Sequence, residues 1–153
     1  MSTTGQELSV GWIVLKNLKA MPSVLKWLTA VSLVPPAFFL GTLIPNGSIN
    51  VNGRPMPTSV WWACGAGAVV AVLAVIMTTA MLMLVRRSKY ARPVLLVGMT
   101  STFMSGTLLA KLTGSNIAAP LWLDIANLIP VAAVAAYLYA NKAVRIYFQW
   151  SNT

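Results

Sequence analysis

Four long apolar stretches, separated by short polar segments, run through this 153-residue sequence. They cover about residues 22–44, 60–85, 93–112 and 120–140. A helix needs about 20 apolar residues to cross the hydrocarbon core of a bilayer, and each stretch has roughly that length. The pattern therefore predicts an all-α membrane protein, a four-helix transmembrane bundle with residues 1–153 forming a single transmembrane domain.

The segment at about residues 6–20 has too many polar interruptions to span a membrane. Read as a helix, it aligns three apolar side chains along one side: Leu8, Trp12 and Leu15. Lys16 and Lys19 provide the polar positions. Such a segment is typical of an amphipathic helix that lies in the membrane surface, with a tryptophan anchoring it among the lipid headgroups.

The loop at residues 45–59 contains two Asn-Gly pairs, which are strong turn signals. Between them, Ile49 and Val51 alternate with polar neighbours. This pattern predicts a small hairpin between the first two spans. Within the first span, Pro35 and Pro36 lack the N–H that a helix needs, so we expect a kink there.

Charged residues are few and strongly biased in sign. Only Glu7 and Asp124 are acidic, while eleven residues are Lys or Arg, and 58% of the chain is apolar. A net charge of +9 would suit nucleic acid, but these bases flank apolar runs, so anionic lipid headgroups are the expected partner and nucleic acid is not. Seven bases are the predicted headgroup contacts: Lys16, Lys19, Lys26, Arg86, Arg87, Lys89 and Arg92.

The same charges predict the orientation in the membrane. Nine bases lie before or at the start of the first span, between spans two and three, or after span four, where Lys142 and Arg145 are found. Only Arg54 and Lys111 lie on the opposite side. Because loops rich in Lys and Arg stay in the cytoplasm, both termini are predicted to be cytoplasmic, and the loop at 45–59 is predicted to lie outside.

Asp124 lies about one turn into the fourth span, where a charge is costly. Lys111 lies near the adjoining end of the third span, at a similar predicted depth, and Asn127 shares a helix face with Asp124. We predict that Asp124 and Lys111 pair. The pair is either a structural ion pair or, alternatively, part of a cation or proton site that includes Asn127.

The third span carries small residues at a spacing of four: Gly98, Thr102, Gly106 and Ala110. Such a stripe allows another helix backbone to approach closely. It packs either against the protein's own bundle or against a partner's transmembrane helix, and the sequence leaves both possibilities open.

Catalysis is not expected. The chain has no histidine, a single cysteine (Cys64) and two acids far apart in sequence. A conventional base for a nucleophile is therefore missing, and a metal site has too few ligands. We predict no enzymatic activity, no cofactor and no bound metal.

Two boundaries carry a resemblance: Lys89-Tyr90-Ala91-Arg92-Pro93 before the third span, and Ala143-Val144-Arg145-Ile146-Tyr147-Phe148 after the fourth. With the lysine-containing run into the first span, they resemble small uncharacterised four-span proteins of bacterial inner membranes. The resemblance implies that location and no activity.

Two functional classes follow from these observations. The first is a non-catalytic interaction protein that contacts a membrane partner through its helices, either as a subunit of a membrane complex or as an immunity protein against a pore-forming toxin. The alternative is a small oligomeric transporter or channel that uses Asp124 and the polar face of the third span.

Overall fold

The computed structural model describes residues 4–51, 53–114 and 121–149, with side chains described for residues 12–51, 53–114 and 125–149. The fold is mostly helical, which confirms the fold class in its coarse form. The elements are, in chain order, α1 (Thr4–Ala20), α2 (Ser23–Val31), α3 (Val34–Gly41), β1 (Ser48–Val51), β2 (Arg54–Pro57), α4 (Thr58–Ala63), α5 (Ala66–Val85), α6 (Ala91–Leu112), α7 (Leu121–Ala140) and α8 (Lys142–Gln149).

Three helical stretches in the described part of the chain are long and apolar enough to cross a membrane. They are Ser23–Gly41, Ala66–Val85 and Ala91–Leu112. The described apolar part of α7, Ile125–Ala140, is shorter than these. The structure is thus consistent with a membrane protein, while the fourth span stays a prediction.

The first predicted span is two helices. Helix α2 ends at Val31 and α3 begins at Val34, so the break precedes Pro35 and Pro36. The prolines occupy the first turn of α3, where a missing N–H removes no helical hydrogen bond. At the break, the buried Ser32 hydroxyl donates to the carbonyl of Leu28 at 2.7 Å.

The second predicted span is also interrupted, near its start. The short helix α4 ends at Ala63 with Cys64 as its C-cap, and Gly65 follows with a φ of +85° before α5 begins. This left-handed conformation commonly ends a helix and favours glycine, which has no Cβ to clash with the backbone. The part of the segment that is long and apolar enough to cross a membrane is therefore α5, a helix of 20 residues.

Strands β1 and β2 form the hairpin that the two Asn-Gly pairs predicted. They run antiparallel, with Ile49 opposite Met56 and Val51 opposite Arg54. Ile49, Val51 and Met56 pack against a buried cluster that contains Trp61. The hairpin therefore lies on the bundle, and we call this part of the molecule the hairpin end.

Helix α5 is central to the bundle, since it packs against both α3 and α6, and α6 in turn packs against α7. The larger buried core lies at the opposite end from the hairpin, around the α5–α6 turn at residues 86–90, and we call this the turn end. Its fully buried side chains come from five helices: Leu25, Leu84, Leu95, Leu138 and Val144.

Helix α1 lies against the turn end. Val14 and Leu18 pack on the core there, and the Asn17 side-chain amide donates to the carbonyl of Val85 at 3.0 Å. Trp12 and Lys16 are exposed, as are Leu15 and Lys19. At about 100° per residue, these four side chains share one side of the helix. Lysines and apolar residues are therefore mixed on the more exposed side of α1, and Lys16 lies at its border with the part that faces the protein.

Candidate functional site

The predicted polar site at the hairpin end is described only in part. Lys111 is exposed in the last turn of α6, and Asn127 is half-buried in α7. Asp124 belongs to α7, but its side chain lies outside the described residues, as does the segment 115–120 between the two helices. The ion pair of Asp124 with Lys111 therefore stays a prediction.

The small-residue stripe of α6 divides into two parts. At Gly98, a Cβ atom would lie 2.6 Å from Sδ of Met77 and 3.2 Å from Cγ2 of Ile76, so α5 makes close contact there. At Gly106, which is exposed, a Cβ atom would meet nothing within 4 Å. The stripe thus packs against the protein's own α5 at Gly98, while Gly106 faces open space among the described residues.

A groove of about 460 Å³ follows the boundary between α5 and α6, and we call it the α5–α6 groove. Small and apolar residues line it: Ala68, Val69, Val72, Leu73, Ile76, Ser101, Met104, Ser105 and Leu108. The hydroxyl of the buried Ser105 donates to the carbonyl of Thr102 at 2.7 Å, and the hydroxyl of Thr102 donates to the carbonyl of Gly98 at 2.8 Å. Ala110 is half-buried further along α6.

The basic residues at the turn end fall into different environments. Arg92 is half-buried, its Nη2 donates to the carbonyl of Val144 at 3.4 Å, and its guanidinium carbon lies 4.6 Å from the centre of the Phe148 ring. Arg92 is thus engaged in holding α8 against α6. Arg86 is exposed.

The lysines of this region are exposed. Nζ of Lys26 lies 3.4 Å from the carbonyl oxygen of Lys19, close enough to donate to it, and the ammonium of Lys89 lies 5.0 Å from the centre of the Tyr90 ring. Such contacts between exposed groups are weak, about 1 kcal/mol or less. These lysines stay available to a charged surface outside the protein.

Arg87 has an unusual backbone. Helix α5 ends in a Schellman motif with two hydrogen bonds. The N–H of Ser88 donates to the carbonyl of Met83 at 2.9 Å, and the N–H of Arg87 donates to the carbonyl of Leu84 at 3.1 Å. This helix ending places one residue in the left-handed region, usually glycine. Here that residue is Arg87, with a φ of +56°. An arginine thus occupies a strained position that a glycine would fill without strain.

The Arg87 side chain packs against α8. Its guanidinium carbon lies 4.7 Å from the centre of the Tyr147 ring, and its Nε is buried without a hydrogen-bond partner among the described residues. The Tyr147 hydroxyl donates to the carbonyl of Leu84 at 3.1 Å. Burial raises the pKa of Tyr147, an effect that the adjacent Arg87 partly opposes, so the phenol stays a neutral donor at physiological pH.

Beside Arg87 lies a cavity of about 850 Å³, which we call the turn-end cavity. It is bounded by α1, the step into α2, the α5–α6 turn and α8. Its lining consists of Ile13, Lys16, Asn17, Ala20, Pro22, Arg87, Ala143, Ile146 and Tyr147. Among the residues whose side chains are described, the lining is mainly apolar, with two cationic side chains and no carboxylate.

A smaller pocket of about 220 Å³ lies at the hairpin end, between the hairpin, α3, α4 and α6. Trp61 lines it beside Phe38, and the two rings meet edge to face with their centres 6.2 Å apart. The indole Nε1 of Trp61 is buried and has no hydrogen-bond partner among the described residues. Gly106 and Ala110 form part of the opposite wall.

Three residues that shape these sites were not predicted from the sequence as site residues: Asn17, Tyr147 and Trp61. Asn17 has a recognisable signal, because it is a polar residue on the side of α1 that otherwise carries Val14 and Leu18. Tyr147 and Trp61 resemble ordinary interfacial aromatics in sequence. Their roles depend on contacts with Leu84 and Phe38 that are distant in sequence.

The left-handed backbone of Arg87 predicts how substitutions at this position change the stability of the fold. We expect Arg87→Gly to be more stable than Arg87→Ala by about 1 kcal/mol, because both variants lose the side chain but only alanine keeps a Cβ at positive φ. Unfolding titrations in detergent measure the difference. The same two substitutions at Ser88 serve as the control, and equal stability of the two Arg87 variants would contradict the left-handed conformation.

Comparison of this chain with protein-family models, with curated proteins and with solved structures found no match. The function is therefore inferred from the geometry of the α5–α6 groove and the turn-end cavity.

Proposed function

We propose that this chain is a non-catalytic integral membrane protein that binds a transmembrane helix of a partner protein in the α5–α6 groove. Two roles fit this activity: a subunit of a membrane complex, and an immunity protein that blocks a pore-forming toxin by packing against its helices. We place the protein in a bacterial inner membrane with both termini in the cytoplasm.

The open α5–α6 groove carries the proposal. Helices associate in lipid mainly through close packing, and small residues at the contact let the backbones approach. Ala68 and Ser101 supply such positions in the groove, while Val72 and Leu108 are exposed apolar residues along it. A partner helix that fills the groove would give these side chains the packing contacts that the described part of the chain does not provide.

The hydroxyl groups of α6 favour this function over a channel. Ser105 and Thr102 both donate to carbonyls of their own helix. Hydroxyls bonded in this way lie close to the backbone and are less available to replace the hydration shell of an ion. This favours a packing surface over a polar path.

The orientation is supported by the arrangement of charge. The α5–α6 turn carries Arg86, Arg87 and Lys89, and α8, which packs at the same end, carries Lys142 and Arg145. The basic residues of these loops favour the cytoplasmic side of a bacterial membrane.

Photo-cross-linking tests the proposed docking. A photoreactive amino acid at Val72, in the groove, is expected to form one adduct of defined protein mass in native membranes. The control position is Val75, which is 66% exposed against 59% for Val72 but does not line the groove. We expect no such adduct there, because the Val75 side chain points toward lipid.

A groove-filling variant sharpens the test. Ala68→Trp places a large ring on the groove wall, so we expect the Val72 adduct to disappear while the protein stays folded. Equal adducts at Val72 and Val75, or lipid adducts alone, would refute a partner helix in the groove. An adduct of twice the chain's mass would identify the occupant as a second copy and overturn the proposed heterologous partner.

A further inference from the structure

The turn-end cavity has a composition that suits an amphiphilic anion. Five of its lining side chains are apolar, namely Ile13, Ala20, Pro22, Ala143 and Ile146. Lys16 and Arg87 supply positive charge from two different elements. The volume of about 850 Å³ lies within the range of about 300–1,000 Å³ that small-molecule sites occupy. A ligand with an apolar body and an anionic head would match both parts of this lining.

Arg87 contributes more than charge. Its left-handed backbone directs the side chain from the α5–α6 turn onto the Tyr147 ring and the cavity wall. Its Nε is buried and lacks a hydrogen-bond partner in the described part of the chain. Strained residues concentrate at binding sites, and the Arg87 side chain forms part of this cavity wall.

The depth of the cavity suggests which anion binds. Helix α5, which is long and apolar enough to span a membrane, ends at Val85, and Arg87 lies two residues beyond that end. Lys16 lies on α1 near Trp12, whose exposed indole suits the membrane surface. Both cations therefore lie at the level where lipid phosphates are found, and the apolar wall beside them can contact the first part of an acyl chain.

We propose that the turn-end cavity binds one anionic glycerophospholipid, with its phosphate between Lys16 and Arg87 and an acyl chain along Ile13 and Ile146. Bidentate donation from a guanidinium to a phosphate is a strong, charge-assisted interaction. This inference needs the membrane location but does not depend on a partner helix in the α5–α6 groove.

Native mass spectrometry of the full chain, released from micelles that contain equal amounts of phosphatidylglycerol and phosphatidylcholine, tests the proposal. The wild type is expected to retain one phosphatidylglycerol molecule. Arg87→Gln should lower the bound fraction about tenfold or more, the loss expected for one charge-assisted contact. Arg86→Gln is the matched control, since it removes the same charge one residue away but outside the cavity lining.

Two further variants lie outside the α5–α6 turn, so their effects do not depend on its stability. Lys16→Gln should lose the lipid as Arg87→Gln does. Ile146→Trp leaves every charge in place but fills the cavity, so it should also lose the lipid. Arg87→Gly, in which glycine suits the left-handed backbone, should stay folded and lose the lipid.

Three outcomes would overturn the proposal. Equal loss in Arg86→Gln and Arg87→Gln would show diffuse attraction to the basic surface instead of a site. Retention of the lipid by Ile146→Trp would show that the cavity is not occupied. Displacement of the lipid by an equal concentration of inorganic phosphate would show a free-anion site without a contribution from the acyl chain.

Discussion

Replacing Gly98 with leucine should destabilise the protein by about 1–3 kcal/mol, because the new side chain must displace the buried Met77 side chain that touches this position. A Cβ atom alone would lie 2.6 Å from Sδ of Met77, which is buried between α5 and α6. Leucine favours a helix over glycine by no more than about 1 kcal/mol, which does not offset the overlap.

Gly106→Leu is the matched control on the same helix. It makes the same chemical change eight residues further on, where a Cβ atom would meet nothing within 4 Å. We therefore expect it to be neutral or to stabilise the protein slightly. Unfolding by increasing SDS fraction in mixed micelles measures both variants. Similar losses at the two positions would mean that α6 packs as closely at Gly106 as it does at Gly98.

The predicted orientation in the membrane should give all-or-none labelling of thiols placed at the two ends of the molecule. In a Cys64→Ser background, Ser48→Cys places a thiol on the exposed edge of the hairpin, and Gln149→Cys places one on exposed α8. The two ends are separated by the length of α5, about 30 Å for its 20 residues. A membrane-impermeant maleimide should label only Ser48→Cys in right-side-out vesicles and only Gln149→Cys in inverted vesicles.

Each vesicle preparation is the control for the other, and detergent should expose both thiols. The reverse labelling pattern would place the turn end outside and contradict the distribution of basic residues. Labelling of both thiols in sealed vesicles of one orientation would contradict the membrane location itself. The Cys64→Ser background is mild, because a serine can make the same local hydrogen bond as Cys64 Sγ, which contacts the carbonyl of Trp61 at 3.2 Å.

Much of the fold is visible in the sequence, since apolar length and turn residues act locally. The length of an apolar run predicts α6 and the end of α5 closely, but it does not predict the break at Gly65 that separates α4 from α5. The Asn-Gly pairs predict the hairpin because they favour the backbone conformation of tight turns. Pro35 and Pro36 predict an interruption in the first span, although it lies just before them and not at them.

The sites are less predictable because they depend on contacts between distant residues. A stripe of small residues predicts that another helix approaches closely. Only the fold shows that Met77 occupies the space beside Gly98, whereas the space beside Gly106 is open among the described residues. Arg87 is one base among several in its loop, and no local pattern distinguishes it from Arg86. Its role arises where α5 ends against Tyr147, which is 60 positions away in sequence.

The end of α5 also has a consequence for the order of assembly. The adjacent carbonyls of Leu84 and Val85 receive side chains from opposite ends of the chain, since Tyr147 of α8 binds the first and Asn17 of α1 binds the second. During synthesis, α1 is made early, but the residues of α5 that it packs against are made later. Helix α8 is the last of the described helices to be made. The first and last of these helices thus bind to adjacent residues at the end of α5. The turn-end cavity, which both helices line, can therefore form only after α8 has been synthesised.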